Sequence, residues 1–277
     1  MKKILLGFIA IGLLTFVGCD KDDDTDTTDS TETSSDNGST DSDADSGDDT
    51  KETSSDDGST DCDDGITETS SDEIADSDGN TYKTVIIGEQ EWFAENLKTS
   101  RYNDGTPIPN ITGNTEWGDD TTGAWCHYDN DSDYECTYGK LYNWYAVETG
   151  KLCPTGWHVP TDAEWTVLDD YLTANGYKGK ALKSTYGWDD YDNDYGWDDY
   201  EGISGNGTDD YGWNGLPGGA RGDYGYFGSI GSGGMWWSSS QNATSDAWSR
   251  YLYNGSASVG SYIANKETGY SVRCIKD

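Results

Sequence analysis

The sequence predicts an α+β domain in residues 79–277, preceded by two segments of very different composition. After a first hairpin, helix-like patterns occupy the middle of this domain, and its last third consists of short strands separated by glycine turns. That order is typical of a fold in which helices and an antiparallel sheet are segregated. All twelve Trp and all twenty Tyr of the chain fall within these residues, which is enough bulky apolar surface for one sizeable core.

Each element is predicted from a local pattern. Residues 82–87 are β-branched and aromatic, residues 88–89 suit a turn, and residues 91–93 begin a return strand, so this stretch predicts a hairpin. Residues 139–147 are compatible with a short buried helix between glycines. The clearest later strands are predicted at residues 235–237, 248–253 and 270–275. We expect Trp236 and Trp237 in the first of them to pack onto the core.

The strongest helix prediction covers residues 161–175. Pro160 precedes it, Thr161 and Glu164 have the spacing of a capping box, and Gly176 ends it. Its apolar face is formed by Trp165, Leu168 and Leu172.

Residues 1–19 resemble the signal of a bacterial lipoprotein. Lysines open the segment, residues 4–18 are apolar, and Gly18 precedes Cys19 as in a lipobox, whose cysteine is acylated. The apolar stretch is shorter than the roughly 20 residues that cross a bilayer. We therefore expect a lipid anchor on Cys19 that holds the protein on a membrane without spanning it, with an ordinary cleaved secretory signal as the alternative.

Residues 20–78 predict a disordered acidic stalk. They contain 24 acidic residues against two lysines, and the rest is mainly Ser, Thr and Gly with no aromatic residue. Such a segment cannot bury enough apolar surface to offset the entropy of ordering. Its first residues, 20–24, resemble the short acidic signals that send lipoproteins to the outer face of the outer membrane. We therefore expect the protein to be exposed on the cell surface. The same acidic residues are equally explained as the start of the stalk.

The domain contains four cysteines, and a further one, Cys62, lies in the stalk. An even number in an exported domain favours two disulfides, and three pairings are open. We favour Cys126 with Cys136, which would close a polar loop of nine residues, and Cys153 with Cys274. A zinc site is the alternative, although the Cys-x-x-Cys spacing is missing. For Cys62, an intermolecular disulfide and a free thiol both stay open.

Several blocks of the domain form a characteristic series. The long ones are DGNTYKTV (78–85), WFAENL (92–97), YGKLY (138–142) and CPTGWHVPTDAEW (153–165), and the short ones are LPGG (216–219), WWSS (236–239) and SVRC (271–274). In this order they resemble the Fibrobacter succinogenes major paralogous domain, whose members are largely exported lipoproteins without a settled activity.

The resemblance implies a C-type-lectin-like core, which is also the core of the formylglycine-generating enzyme. Such a core has two short helices, antiparallel strands and many irregular Gly-rich loops. In C-type-lectin-like domains a disulfide joins the first helix to the last strand, and Cys153 with Cys274 would fit it.

Three carboxylates alternate along one short segment, Asp129, Asp131 and Asp133. Calcium loops place oxygen ligands at this spacing. The glycine and the distant glutamate of an EF-hand are missing, so calcium binding here is a hypothesis. The alternative is a solvated hairpin tip.

Residues 186–200 form a duplicated aromatic and acidic insertion that departs from the family pattern. Aromatic faces flanked by carboxylates suit sugar rings, which stack through their C–H faces and donate hydroxyl hydrogen bonds. We therefore predict ligand binding by this insertion, with packing of its rings onto the core as the alternative. The predicted ligand-binding rings are Trp188, Tyr191, Tyr195 and Trp197.

The sequence gives little support for catalysis. The nucleophile motif Gly-x-Ser-x-Gly is missing, and formylglycine-generating chemistry would need a reactive cysteine pair. Nucleic acid is excluded as a partner because the domain is strongly acidic, whereas phosphate contacts need basic patches. We expect a non-catalytic, adhesion-type binding module for polysaccharide or for a surface protein. A structural or variable surface protein is the alternative, and a formylglycine-generating-like enzyme is less favoured.

Overall fold

The computed structural model describes residues 74–191 and 204–277. Within these ranges the chain forms an α+β fold that is mostly antiparallel sheet, and none of the helices there is long and apolar enough to cross a membrane. The helices are α1 (Asn114–Asp119), α2 (Glu135–Tyr138), α3 (Trp144–Glu148) and α4 (Asp162–Ala174). The strands are β1 (Ile74–Ala75), β2 (Thr81–Tyr82), β3 (Thr84–Ile87), β4 (Gln90–Phe93), β5 (Trp125–Cys126), β6 (Leu141–Tyr142), β7 (Trp157–His158), β8 (Gly218–Arg221), β9 (Phe227–Ile230), β10 (Gly233–Gln241), β11 (Asp246–Tyr253), β12 (Gly260–Asn265) and β13 (Ile275–Lys276).

The folded domain begins earlier than the sequence indicates. β1 pairs with β2, and Asp76 holds the turn between them. One carboxylate oxygen of Asp76 accepts hydrogen bonds from the backbone N–H groups of Asp78 and Asn80, and the other accepts one from the Tyr82 hydroxyl at 2.6 Å. The expected boundary at residue 79 is therefore too late, because residues from Ile74 onward supply a strand and a turn to the domain.

The predicted hairpin is confirmed as β3 and β4, which belong to a four-stranded sheet with the order β3-β4-β13-β7. Its turn passes through Gly88 at φ +65°, and a Cβ there would lie 2.8 Å from the ring of Tyr171. Only glycine fits both conditions. The predicted disulfide between Cys153 and Cys274 is also confirmed, and it joins the chain before β7 to the residue that precedes β13.

The predicted capping-box helix is confirmed as α4. Thr161 is its N-cap, where the hydroxyl accepts from the Glu164 N–H at 3.2 Å while the Glu164 carboxylate accepts from the Thr161 N–H at 2.7 Å. Trp165 packs against Trp92 and Trp213, with ring centroids 4.9 and 6.0 Å apart. The cap therefore sets where the helix starts, and the tryptophan cluster holds it against the hairpin.

His158 connects α4 to Asp277. Its Nδ1 lies 2.7 Å from a carboxylate oxygen of Asp277, and its Nε2 lies 2.9 Å from a carboxylate oxygen of Glu164. Burial lowers the pKa of His158, but the hydrogen bonds to Asp277 and Glu164 outweigh burial, so the net shift is upward. In Glu164, burial raises the carboxyl pKa, yet the Thr161 and His158 hydrogen bonds outweigh it and the net shift is downward. The two groups are therefore charged together over a wide pH range.

We expect the charged His158 to stabilise the domain fully below its ordinary pKa of about 6.5 and to lose this effect as pH rises through the raised pKa of the folded state. Because its side chain is 34% exposed, the effect is at most about 1 kcal/mol. Urea unfolding of the wild type and of His158→Gln near pH 5.5 and pH 9 measures it. The wild-type advantage should shrink at the higher pH, and an unchanged difference would contradict the prediction.

β10 is the central strand of a five-stranded sheet with the order β12-β11-β10-β8-β9. Trp236 and Trp237 follow each other in this strand and so point to opposite faces. Trp236 packs on Trp213, with ring centroids 5.0 Å apart, on the face that carries α4. Trp237 donates its indole N–H to the Tyr142 carbonyl at 2.8 Å on the other face. Both rings are buried, as the sequence predicts.

Two predicted elements differ in the structure. Residues 139–147 hold β6 and then the start of α3 instead of one helix, because β6 pairs with β5 and the side chain of Asn143 caps α3 only afterwards. The predicted strand at 270–275 reaches regular pairing only in β13. Its earlier residues form single bridges with different partners, Tyr270 with Tyr142 and Ser271 with Trp236.

The expected bridge between Cys126 and Cys136 is wrong. Cys126 is a free thiol, fully buried in β5, where it accepts a hydrogen bond from the Arg221 guanidinium. Cys136 lies on the exposed side of α2, and it is disulfide-bonded but not to Cys126. The nine-residue spacing is short enough for a bridge, but the strand points one sulfur inward while the helix points the other outward.

Candidate functional site

The three carboxylates predicted to bind calcium are not gathered into one group in the structure. Asp129, Asp131 and Asp133 are exposed, and no group of three metal-ligating side chains occurs in residues 74–191 and 204–277. The carboxylate of Asp131 instead accepts the Asp133 N–H at 3.0 Å and so caps a 3-10 turn. The alternating spacing thus serves a tight polar turn, and the calcium hypothesis is not supported.

The predicted ring of Trp188 lies in the core. It is 4% exposed, its indole N–H donates to the Gly215 carbonyl at 3.0 Å, and the ammonium of Lys183 lies 4.6 Å from its ring centroid. The prediction that Trp188 stacks on a ligand is therefore wrong, because no face of this ring is open to solvent. Tyr191 is 39% exposed, while Tyr195 and Trp197 lie outside the described residues.

The two most exposed aromatic side chains of the described chain flank a groove elsewhere. Tyr224 and Tyr226 are 78% and 72% exposed. They occupy the turn between β8 and β9, which lies against α1, and the groove between turn and helix has a volume of about 420 Å³. Large exposed aromatic rings beside a concave surface are typical of ligand contacts. We name this surface the tyrosine groove.

A buried arginine holds the turn of the tyrosine groove. Arg221 is fully buried, and its guanidinium donates to the carbonyls of Gly225, Ile111 and Thr112 at 2.9, 2.5 and 2.8 Å. The same guanidinium lies over the Trp117 ring, 4.4 Å from its centroid. One side chain thereby fixes the turn, the segment that leads into α1 and the core ring of α1.

Two glycines let the helix and the turn approach each other closely. A Cβ at Gly118 in α1 would lie 2.6 Å from the Asp223 carbonyl oxygen. Gly225 has φ +84°, and a Cβ there would lie 2.5 Å from the Cα of Asn114. Backbone therefore packs directly on backbone at both places, and the groove is formed in advance instead of assembling around a ligand.

The polar side chains of the tyrosine groove are acidic or neutral. Asp119, Asp223 and Glu267 line it, and no Lys or Arg is among its lining residues. Asp223 accepts a hydrogen bond from the Asn265 amide at 2.6 Å, and Glu267 accepts one from the Tyr145 hydroxyl at 2.9 Å. A carboxylate can accept several further hydrogen bonds. The groove therefore offers acceptors to a hydroxylated ligand and repels an anionic one.

A larger cavity of about 640 Å³ is a weaker candidate. Arg273 lines it, but its guanidinium already donates to the side chain of Asn96 and to the carbonyls of Trp213 and Asn214. Lys98, also in the lining, pairs with Glu95 at 3.3 Å. The charged groups of this cavity thus serve the fold.

The sequence contains one local pattern that indicates the tyrosine groove. Asp223, Tyr224, Gly225 and Tyr226 form a turn in which aromatic residues alternate with a carboxylate and a glycine. The longer insertion at 186–200 also combines aromatic residues with carboxylates and glycines, and the ligand-binding prediction was made there instead. Nothing local in the sequence indicates that Glu267 and α1 line the same surface.

The comparisons with known proteins concern the domain as a whole. No curated protein and no solved structure matches the chain. The Fibrobacter succinogenes major domain matches residues 85–276, which include all of the hairpin except Thr84, and also α4, the tyrosine groove and both ends of the Cys153–Cys274 disulfide. Since this match spans well over half of the sequence, the chain belongs to the Fibrobacter succinogenes major domain family.

Proposed function

We propose that this protein is a cell-surface lipoprotein whose domain is a non-catalytic, adhesion-type module that binds polysaccharide in the tyrosine groove. The observation that carries the proposal is the pair of highly exposed rings, Tyr224 and Tyr226, on a rigid turn beside three carboxylates. Exposing two large rings to water is unfavourable, and rings exposed in this way usually mark a surface that contacts a ligand or partner. Membership of a surface-type domain family supports the location.

The chemistry of the groove suits a neutral sugar chain. The flat faces of tyrosine rings take up the C–H faces of pyranose rings, and the hydroxyls of the sugar donate to carboxylates. Asp223 is already oriented by Asn265, and Glu267 by Tyr145. The Tyr145 hydroxyl donates to Glu267 at 2.9 Å, and burial and this contact raise the pKa of Tyr145 to about 12.

The proposed location follows from the first part of the chain. The apolar stretch that ends at Gly18, followed by Cys19, provides a lipid anchor, and the acidic residues 20–24 direct it to the exposed face of the outer membrane. Residues between the anchor and Ile74 would then hold the groove away from the membrane. In this proposal the lipid on Cys19 is what attaches the protein to the membrane.

The cysteines support a non-catalytic role. Cys153 and Cys274 are bonded to each other, and Cys136 is also disulfide-bonded. Burial raises the pKa of the Cys126 thiol to about 12, so this group carries almost no reactive thiolate at neutral pH. Formylglycine-generating chemistry would require a reactive cysteine, and none of the four cysteines in residues 74–191 and 204–277 meets that requirement.

We further propose that the fold is related to the C-type-lectin-like core. The disulfide joins Cys153, in the segment between α3 and β7, to Cys274, next to the last strand β13, and this resembles the bridge of such domains at its last-strand end. A crystal structure of the domain compared with C-type-lectin-like domains tests this relation.

Replacing Tyr224 or Tyr226 by Ala should weaken polysaccharide binding about tenfold for each ring, because each variant removes one stacking face worth about 1.4 kcal/mol. Both side chains are mostly solvated, so the free energy of unfolding should change by less than about 0.5 kcal/mol. The measurement is retention of the full chain on insoluble cellulose, xylan and starch, and on polygalacturonate as the anionic polymer.

Tyr177→Ala is the matched control, since this ring is 41% exposed but lies after α4, outside the groove. It should bind as the wild type does. Polygalacturonate should be retained least, because the groove is acidic. The proposal is overturned if no neutral polymer is retained, or if the two groove variants bind as well as Tyr177→Ala. Failure on every polymer would favour a structural surface protein.

A further inference from the structure

The disulfide partner of Cys136 lies outside residues 74–191 and 204–277. Cys136 is disulfide-bonded, Cys126 is a free thiol, and the other two cysteines of the domain are bonded to each other. The structure holds a single chain, and the cysteines that remain in it are Cys19 and Cys62. The bond of Cys136 therefore runs to one of these two residues.

Two arguments favour Cys62 over Cys19. The sulfur of an acylated lipobox cysteine is bonded to its lipid, so Cys19 has no thiol left for a disulfide. Cys62 also lies much closer along the chain to Ile74, where the folded domain begins. Closing the shorter loop costs less conformational entropy.

The folded domain begins beside the cavity of about 640 Å³ that Cys136 lines. The Tyr82 hydroxyl donates to the Asp76 carboxylate at 2.6 Å and accepts from the Lys98 backbone N–H at 2.8 Å. Lys98 lines the same cavity as Cys136. The residues between Cys62 and β1 can span roughly 40 Å when extended. They are therefore long enough to reach the cavity from the start of the domain.

This cavity is basic, although the domain is acidic. Among the described residues that line it are Lys83, Lys98 and Arg273, against the single carboxylate of Glu95. The Arg273 guanidinium is fully buried, and within the described chain its hydrogen bonds run to the Asn96 side chain and to backbone carbonyls, all of them neutral groups. A buried cation without a directly bonded carboxylate is costly. The cavity therefore attracts an anionic segment.

The sequence around Cys62 has the complementary charge. Asp61, Asp63 and Asp64 flank this cysteine directly. A disulfide keeps its two Cα atoms within about 7 Å of each other. A bond from Cys62 to Cys136 would therefore bring these carboxylates to the rim of the basic cavity.

We infer that Cys62 is bonded to Cys136 and that residues 61–64 dock against the basic cavity. The two thiols form the bond by exchange with a disulfide donor of the exported compartment, which takes up two electrons and two protons and becomes a dithiol. The membrane tether then joins the domain at α2 instead of at the two-residue strand β1. This inference is independent of polysaccharide binding, so either proposal can fail without the other.

Peptide mapping of the exported full chain without reduction tests the bond. Trypsin leaves Cys62 in the peptide 52–83 and Cys136 in the peptide 102–140. Mass spectrometry should find these two peptides as one linked species that reduction separates. Cys126→Ala should keep this species, because Cys126 lies in the second peptide but is not bonded, and Cys136→Ala should lose it. When the protein is unfolded without reduction, Cys62→Ala should show one more reactive thiol than the wild type.

Three results would overturn the bond. They are a reduced Cys62 in the wild type, a linked species that joins Cys136 to Cys19, and a covalent dimer on a non-reducing gel that Cys62→Ala abolishes. The dimer would assign Cys62 to a bond between two chains.

The docking is tested by Lys98→Gln, with Lys151→Gln as the matched control, because Lys151 is a cation outside the cavity. In glutathione buffers the equilibrium constant for reducing the Cys62 bridge should rise about threefold in Lys98→Gln, as one attraction is lost, and stay unchanged in Lys151→Gln. Removing a cation beside a thiol disfavours its thiolate and by itself favours the disulfide, so the expected direction is specific to docking. Equal constants for both variants, each folded by circular dichroism, would overturn the docking.

Discussion

Arg221→Met is expected to lower the free energy of unfolding by about 3 kcal/mol. The substitution keeps most of the side-chain volume but removes the Arg221 donor from the carbonyls of Gly225 and Ile111, and it leaves the Thr112 carbonyl with only the Asn130 amide as donor. Each acceptor left unpaired costs about 1 kcal/mol or more. It also removes the guanidinium from the Trp117 ring. For a domain of this size the melting temperature should fall by about 6–12 °C.

The same variant should weaken polysaccharide binding even where the domain is fully folded, because Arg221 fixes the turn that presents Tyr224 and Tyr226. Arg221→Lys is the matched control for charge. Lysine keeps the positive charge, but its single ammonium lacks the planar fork that reaches three carbonyls. The stability and the binding of Arg221→Lys should therefore lie between those of the wild type and of Arg221→Met. A loss below about 1 kcal/mol for Arg221→Met in urea unfolding would show that the turn is held by other contacts.

Replacing Cys153 and Cys274 together by Ala should lower the free energy of unfolding by about 4–5 kcal/mol. The bridge closes a loop with a sequence separation of 121 residues, and a chain-entropy model gives that size of effect for such a loop. Removing it also loosens the attachment of β13, which pairs with β4 and β7 and buries Ile275 in the core. Urea unfolding followed by tryptophan fluorescence measures the change.

Cys126→Ala is the control for this experiment, because Cys126 is equally buried but is not bonded to another cysteine. Its cost should be about 1 kcal/mol, since it removes one small buried group. If the Cys153 and Cys274 double variant loses no more than Cys126→Ala does, the loop is restrained by other contacts and the bridge adds little.

Features specified by neighbouring residues were predictable. The hairpin of β3 and β4 follows from two short apolar runs around Gly88, and α4 follows from Thr161 and Glu164. Both depend on interactions within a few residues, which the sequence displays directly. The burial of Trp236 and Trp237 was predictable for the same reason, because a strand of apolar residues has both faces covered.

The candidate site could not be predicted in this way. Its parts come from α1, the turn at Asp223 and the distant residue Glu267, and they meet only through the folded chain. Trp188 is a second residue whose environment the sequence does not indicate. The sequence around Trp188, an aromatic residue among aspartates, does not indicate whether the ring faces solvent or the core. Only its packing against Lys183 and Gly215 places the ring in the core.

The sequence by itself determined the α+β class, the family and the capped helix, since these rest on local patterns and characteristic blocks. It favoured the Cys153–Cys274 bridge among three open pairings, and the structure contains that bridge. The tertiary structure alone decided which tyrosines face solvent and that Cys126 stays a free thiol inside the core. The physical reason is that exposure depends on what packs against a side chain, and at these positions the packing partners lie far away along the sequence.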